Sequence, residues 1–205
     1  MNAPNTNPTT PRKKGRPLSF DRDAALRKAM LLFWEHGYEA TSLNDLTGAL
    51  GVPPSSIYSA FGDKKGLFFD AVGLYLSGPV TFETMLTLAP TARGAAQTML
   101  EGAAVAYTGT DTPSGCLLAS AAISCSDAAA DVRHTLGAIR QDIEAQLRAR
   151  IVRGIQEQEL PAESNAEALA GMTMAVVQGM STLARDGASR DKLLQIAASA
   201  LRAWP

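Results

Sequence analysis

The feature that most constrains the fold is a pair of short helical segments joined by a tight turn. They lie in residues 37–68, which read GYEATSLNDLTGALGVPPSSIYSAFGDKKGLF. Ser42 and Asp45 have the spacing of a capping box, which marks the beginning of a helix. Gly51 stands where that helix is expected to end, because glycine is favoured just after a helix C-terminus. The pattern predicts a helix-turn-helix over about residues 42–61.

The rest of the sequence also favours helices. Asp21 is the expected N-cap of a first helix, and apolar residues recur after it at helical spacing until Gly37. Lys64 begins a fourth helix, which ends before a linker at residues 77–79. Further helices are predicted over about residues 91–108, 115–126, 128–159, 163–186 and 189–203. Since β-strand alternation is absent, we predict an all-α protein with an N-terminal three-helix helix-turn-helix domain and a C-terminal helical domain.

The distribution of charge separates the two ends of the chain. Of its 205 residues 46% are hydrophobic and 19% are charged, which is typical of a globular protein, and the net charge is −1. Residues 1–66 contain nine Lys/Arg and six Asp/Glu, whereas residues 67–205 contain ten and fourteen. The net charges are therefore +3 and −4, and this asymmetry favours an N-terminal end that faces DNA.

The outer face of the third helix is expected to read bases, because its small serine hydroxyls permit close approach to the major groove. Phosphate contacts are expected from a tyrosine on that helix, from the N-termini of the second and fourth helices, and from the basic arm upstream. The alternative for that arm is a solvated, solubilising tail. We predict DNA contacts from Arg12, Lys13, Lys14, Arg16, Thr41, Ser42, Pro54, Ser55, Ser56, Tyr58, Ser59 and Lys64.

The helix-turn-helix region resembles the DNA-binding domain of the TetR/AcrR family of bacterial transcriptional regulators. The resemblance rests on Gly37, Tyr38, Thr41, Ser42, Leu46, Gly51, Val52, Ile57, Tyr58, Phe61, Lys64 and Leu67. It implies a homodimer, most often a repressor, whose last two helices form the dimer seam. The implied domains are residues 1–17 as a flexible basic arm, 18–78 for DNA binding and 79–205 for ligand binding and dimerisation. Pro53 departs from the pattern, because family members often have Ser or Asn as the cap there.

The two cysteines do not predict a disulfide. If Cys116 and Cys125 lie on one continuous helix, they are on opposite sides of it and about 13 Å apart along its axis. No metal site and no cofactor are predicted, since no further ligand follows at a suitable spacing. Cys116 lies at an expected helix N-terminus, where N–H groups favour a thiolate. Some family members with a similar Gly-Cys-Leu junction sense electrophiles or oxidants there, so both a sensing and a structural role stay open.

A ligand pocket is expected among the central helices of the C-terminal domain. Methionine adapts to irregular apolar ligands, although methionines at helical spacing are more often ordinary core residues. For His134 the sequence leaves open whether the side chain faces the pocket or the solvent. The candidate ligand or sensor residues are Met99, Ala103, Tyr107, Cys116, Leu118, His134, Met172 and Met174.

These features predict a homodimeric transcriptional repressor that binds a palindromic double-stranded DNA operator. A small-molecule effector or modification of a thiol would release it. We also expect a cytoplasmic protein without a membrane partner, since neither a signal peptide nor a long apolar stretch is present. An enzyme built on a Cys116–His134 pair is the disfavoured alternative, because no phosphate loop or paired carboxylates accompany it. The other alternative is an architectural DNA binder without an effector. The effector, the operator and the sign of regulation are not specified by these residues.

Overall fold

The computed structural model of the chain describes residues 20–78, 82–121 and 125–205. Within these ranges the backbone forms ten α-helices, one short 3-10 helix at Asp127–Ala129 and no strand, so the predicted all-α class is confirmed. The helices are α1 Arg22–His36, α2 Leu43–Leu50, α3 Pro54–Phe61, α4 Lys64–Leu76, α5 Phe82–Leu88, α6 Ala92–Tyr107, α7 Leu117–Ser120, α8 Ala130–Gln156, α9 Ala166–Arg185 and α10 Arg190–Leu201. We call α1–α4 the head and α5–α10 the body.

The head encloses a core of aromatic and large aliphatic side chains. Phe68 packs edge-on against Phe33, with ring centroids 5.0 Å apart, and against Tyr38 at the same distance. Leu46 of α2 and Ile57 of α3 are completely buried beside them. The helical spacing of these apolar residues therefore directs one face of each helix into a shared core.

The ends of the head helices follow the predicted capping residues. Asp21 accepts hydrogen bonds from the first turn of α1, and Ser42 and Asp45 form the reciprocal capping box of α2. Gly51 ends α2 with φ +68°, a left-handed conformation that glycine adopts without a steric penalty. Pro53 makes no capping hydrogen bond for α3, in agreement with its departure from the family pattern. The turn between α2 and α3 is thus set by local chemistry.

In the body, α6 lies at the centre and packs against α8, α9 and α10. Its buried face consists largely of small side chains, with Ala95, Ala96 and Ala104 completely buried, which permits close helix packing. Leu100 is buried among them and fills the space between the surrounding helices. None of the described helices is long and apolar enough to cross a lipid bilayer.

Two sequence-based expectations about the helices are wrong. The continuous helix predicted over residues 115–126 is the four-residue α7, which is followed by a turn at Ala121. Long-range bonds take the place of further helical bonds there, because the Ala121 carbonyl accepts the Tyr38 N–H from the head. The assumption that Cys116 and Cys125 share one helix therefore fails, and both thiols are free. The short α5, which follows the expected linker, was not predicted.

Candidate functional site

The outer face of α3 is open to solvent. Ile57 and Phe61 turn inward and are buried, whereas the Tyr58 side chain on the opposite face is 52% exposed. The other predicted contact residues of this helix surround Tyr58: Pro54, Ser55 and Ser59 are exposed and Ser56 is half-buried. The structure therefore brings these five residues together on one accessible surface, which we call the α3 face.

The side chains predicted at the N-terminus of α2 are already engaged within the head. Thr41 is buried, and its hydroxyl donates to the Gly37 carbonyl oxygen at 2.7 Å. The exposed Ser42 hydroxyl donates to Asp45 Oδ2 at 2.6 Å and accepts from the Asp45 N–H. The hydrogen bonds that the Asp45 carboxylate accepts from the Ser42 hydroxyl and from the Ser42 N–H lower the pKa of that carboxyl group. Thr41 is thereby assigned to the interior, and its predicted phosphate contact through the hydroxyl has no geometric support.

The two lysines that begin α4 have different surroundings. The Lys64 ammonium lies 4.4 Å from the centroid of the Tyr38 ring, and its partial burial lowers its pKa. The Lys65 ammonium instead donates to Asp131 Oδ2 of the body at 2.6 Å. Lys64 thus has no carboxylate partner within 4.0 Å among the described residues, and its predicted contact with phosphate stays a prediction.

Two cations that the sequence reading missed lie on α1. Arg27 and Lys28 are exposed, and neither forms an ion pair with any residue that the structure describes. Their positions directly after the buried Leu26 already place them on the solvent face of an amphipathic helix. The predicted basic arm, Arg12, Lys13, Lys14 and Arg16, lies outside the described residues.

A cavity of about 420 Å³ lies where the head meets the body. Its volume falls within the range of sites for small organic molecules. Six of the eight predicted ligand or sensor residues line it: Met99, Ala103, Tyr107, Cys116, Leu118 and Met174. The sequence pattern of the central helices therefore located six of the residues that line this cavity.

The other two candidates do not line the cavity. His134 is exposed on α8, which decides in favour of the solvent-facing alternative. Met172 is half-buried on α9, and it lies two residues from Met174, so it projects from another side of the helix. The Cys116–His134 pair of the disfavoured enzyme alternative is accordingly not formed, because Cys116 is buried in the cavity wall whereas His134 is exposed.

The head contributes directly to the cavity wall, which the sequence reading did not foresee. Trp34 of α1 and Tyr75 of α4 both line it, and their rings meet edge to face with centroids 4.9 Å apart. The Tyr75 hydroxyl donates to Cys116 Sγ at 3.3 Å. Arg140 of α8 is a further lining residue, and its Nη1 donates to the Leu118 carbonyl oxygen. These residues are distant in sequence, so only the tertiary fold identifies them.

The polar groups of the cavity are mainly neutral hydrogen-bonding groups. Burial, together with the neighbouring Cys116, raises the pKa of both Tyr75 and Tyr107, so both stay as protonated phenols. The backbone N–H of Cys116 donates to the Ser181 hydroxyl at 2.8 Å and ties α7 to α9. Among the described residues, no group of three or more His, Cys, Asp or Glu side chains is placed to bind a metal ion.

Three main-chain groups of the head, two carbonyl oxygens and one N–H, form hydrogen bonds with the body close to this cavity. Arg185 of α9 donates to the carbonyl oxygens of Trp34 at 3.2 Å and of Glu35 at 2.9 Å. These carbonyls belong to the last turn of α1, where helical partners are missing. The third link joins the Tyr38 N–H to the Ala121 carbonyl at 2.9 Å. The cavity wall therefore lies beside the hydrogen bonds that orient α1.

Comparison with known proteins agrees with both halves of this arrangement. Residues 25–71 match the family model of bacterial regulatory proteins, tetR family, and residues 97–200 match the model of the tetracyclin repressor-like C-terminal domain. The chain belongs to the TetR family. The prediction of a DNA-binding transcription regulator rather than an enzyme is thereby confirmed.

The similarity to individual proteins extends over nearly the whole chain. The HTH-type transcriptional repressor ComR of Escherichia coli (strain K12) is 37% identical over 196 residues, which are 95% of this chain and 93% of that protein. A cysteine mutant of the TetR family transcriptional regulator CifR, in complex with 26-bp operator DNA, is 39% identical with a TM-score of 0.88. That comparison covers 93% of this chain and 100% of CifR. A TetR regulator from Rhodococcus sp. RHA1 is 33% identical with a TM-score of 0.60, over 90% and 100% of the two chains.

Proposed function

We propose that this protein is a homodimeric transcriptional repressor that a small molecule in the cavity releases from its operator. The observation that carries the proposal is the position of Trp34, which belongs to the head and lines the cavity beside the body helices. The head also carries the exposed α3 face, so the same unit contributes to the cavity wall and to the surface that would read DNA. This contact of the head with the cavity supports the proposal in addition to family membership.

Operator binding is supported by the α3 face and by the relatives. ComR is a transcriptional repressor, and CifR has been solved on double-strand operator DNA. In this chain the exposed Tyr58 and the neighbouring serines provide a protruding aromatic group and small hydroxyls on one helix. Such a helix fits a major groove, with the serines near base edges and the tyrosine hydroxyl near phosphate.

A homodimer is supported by the outer surfaces of α9 and α10. On α9, Ala168, Ala175 and Gly179 are exposed, and the apolar Met172 and Val176 beside them are half-buried. On α10, Ala198 is exposed as well. A surface of this kind permits the close approach of a second copy, and a two-fold dimer presents two heads to the half-sites of a palindrome.

Release requires that the effector binds one arrangement of head and body better than the other. The head is tied to the body through Arg185 and through the bond between Tyr38 and Ala121. An effector that repacks the cavity would rotate α1 and change the separation of the two α3 faces. Modification of the Cys116 thiol is the second route, because this thiol lines the same cavity and a bulky adduct would act as a covalent effector.

Footprinting of the promoter beside the gene tests this function. We expect protection of a palindrome, a two-fold excess of chains over operator, and an affinity that falls steeply as salt rises. Tyr58→Ala should weaken binding about 10-fold or more, since it removes one contact from each half-site. Arg148→Ala is the matched control, because Arg148 is exposed on α8 and is distant in sequence from the head. This variant should bind DNA as the wild type does. Equal binding by both variants, or a monomer on DNA, would contradict the proposal.

A further inference from the structure

The charge of the cavity wall indicates the chemistry of its ligand. The wall is largely apolar, and Arg140 is the single charged side chain among the described residues that line it. No aspartate or glutamate belongs to this lining. A cationic ligand would therefore meet a like charge without compensation, whereas an anionic ligand would meet an opposite one.

Among the described residues, Arg140 donates one hydrogen bond, which leaves most of its N–H groups without a partner there. Its Nη1 donates to the Leu118 carbonyl oxygen at 2.5 Å, and the guanidinium has five N–H groups in total. Within the described part of the chain, no carboxylate lies within 4.0 Å of it. Three other arginines of the same helix do have such partners: Arg148 with Glu167, Arg150 with Glu159 and Arg153 with Glu157. Arg140 thus differs from them by being half-buried without an anion.

We propose that the cavity binds a small apolar carboxylate, with its anionic group paired to Arg140 and its hydrocarbon part among the methionines. This inference rests on the proposed function and names the chemical class of the effector. A planar guanidinium binds a carboxylate through two parallel hydrogen bonds, and this pairing offsets the cost of keeping the charge in an apolar wall. Met85, Met99 and Met174 line the cavity and suit a flexible chain or ring.

The tyrosines of the wall do not replace Arg140 as the anion site. Tyr75 already donates its hydroxyl hydrogen to Cys116 Sγ. Tyr107 is also turned toward this thiol and stays a neutral phenol, because burial raises its pKa. A neutral phenol binds a carboxylate less strongly than a guanidinium does, since only one charge takes part.

The same arginine connects the ligand with the head. Arg140 supports α7 through the Leu118 carbonyl, and the next turn of chain offers the Ala121 carbonyl to the Tyr38 N–H. A carboxylate that pairs with the remaining N–H groups draws the guanidinium away from the neutral carbonyl, because charge-assisted hydrogen bonds are roughly twice as strong. Binding therefore weakens the support of α7, and the chain that follows α7 is, beside Arg185 of α9, one of the two contacts that hold the end of α1.

Calorimetric titration of the full-length protein with matched probes tests the inference. The probes are hexanoate, octanoate, decanoate and 4-phenylbutyrate, each beside its uncharged amide. We expect at least one carboxylate to bind saturably and to reduce operator affinity, while its amide binds about 10-fold more weakly or not at all. Arg140→Gln should lose this preference, Arg140→Lys should retain part of it, and Arg148→Gln should retain all of it. Thermal unfolding of each variant verifies that it is folded.

The outcomes separate the two proposals. If the wild type binds no DNA, the proposed repressor function fails whatever the titrations show. If the wild type binds its operator but no carboxylate of the panel binds, or if the amides bind equally well, the carboxylate inference is overturned and the repressor function stands. An unchanged preference in a folded Arg140→Gln variant would overturn the assignment of Arg140 as the anion site.

Discussion

The head and the body are both helical, but their interiors differ in chemistry and in the range of the contacts that form them. The head core joins aromatic rings from α1 and α4 with aliphatic side chains from α2 and α3, all within about 50 residues of sequence. The body has an alanine-rich central helix, a buried ion pair and a cavity. The comparison teaches that local aromatic and aliphatic packing fills the head, whereas the cavity lies beside a body helix whose small side chains leave space.

The largest expected effect concerns the buried ion pair of the body. Arg150 is 3% exposed, and its Nη2 donates to Glu159, which also accepts from the Ala92 N–H at the beginning of α6. Glu159→Ala should destabilise the protein by about 3–5 kcal/mol, because it leaves a buried charge without a partner. Chemical denaturation measures this. Glu157→Ala is the control. An equal loss of stability in that variant would show that the buried ion pair contributes no more than an exposed one.

The pH dependence of unfolding provides a second test of the buried ion pair. The hydrogen bond from Arg150 holds the pKa of the Glu159 carboxyl group below its ordinary value of 4.5. The stabilisation is therefore complete above this ordinary value and is lost as the pH falls through the lower value of the folded state. We expect denaturation curves of the wild type to show this acid loss and those of Glu159→Ala to show less of it. Parallel curves would contradict the assignment.

The next largest effect concerns the turn between α3 and α4 in the head. A Cβ atom on Gly66 would lie 2.1 Å from the Phe61 carbonyl oxygen, which is a backbone atom and has little freedom to move. Gly66→Ala should therefore destabilise the head by about 1–3 kcal/mol and displace the α3 face. Gly73→Ala on the same helix meets nothing within 4 Å and should be neutral or slightly stabilising. Thermal unfolding and operator binding compare the two, and a neutral Gly66→Ala would disprove the steric account.

The smallest effect is expected where the two regions meet through an exposed ion pair. Lys65 and Asp131 join α4 to α8, and their side chains are 37% and 53% exposed. Lys65→Gln should lower the free energy of unfolding only slightly, because solvent screens such a pair. A double-mutant cycle with Asp131→Asn measures the coupling. A coupling as large as that of the buried pair would remove the difference between surface and interior contacts.

The same comparison explains how much could be read from the sequence. In the head, caps and apolar stripes are local patterns, so the helices near Ser42, Gly51 and Pro54 were predicted closely. For the cavity, helical spacing in the body predicted six of the lining residues. It did not predict Trp34, Tyr75 or Arg140, because these residues come from segments that are distant in sequence and meet only in the fold. The predicted helix over residues 115–126 was wrong for the same reason, since contacts with the head end it early. The predicted phosphate contact of Thr41 stays a prediction, and its hydrogen bond to the Gly37 carbonyl is a local contact that the sequence pattern did not distinguish from a contact with DNA.

The central claim is that the packing of the cavity controls the head, and a change that fills the cavity tests it without any ligand. Ala103 lines the cavity, whereas Ala138 is exposed on α8 outside its lining. We predict that Ala103→Phe stays folded but changes operator affinity by about 10-fold or more, measured by fluorescence anisotropy. Ala138→Phe should bind as the wild type does. A folded Ala103→Phe protein with wild-type operator affinity would contradict the account.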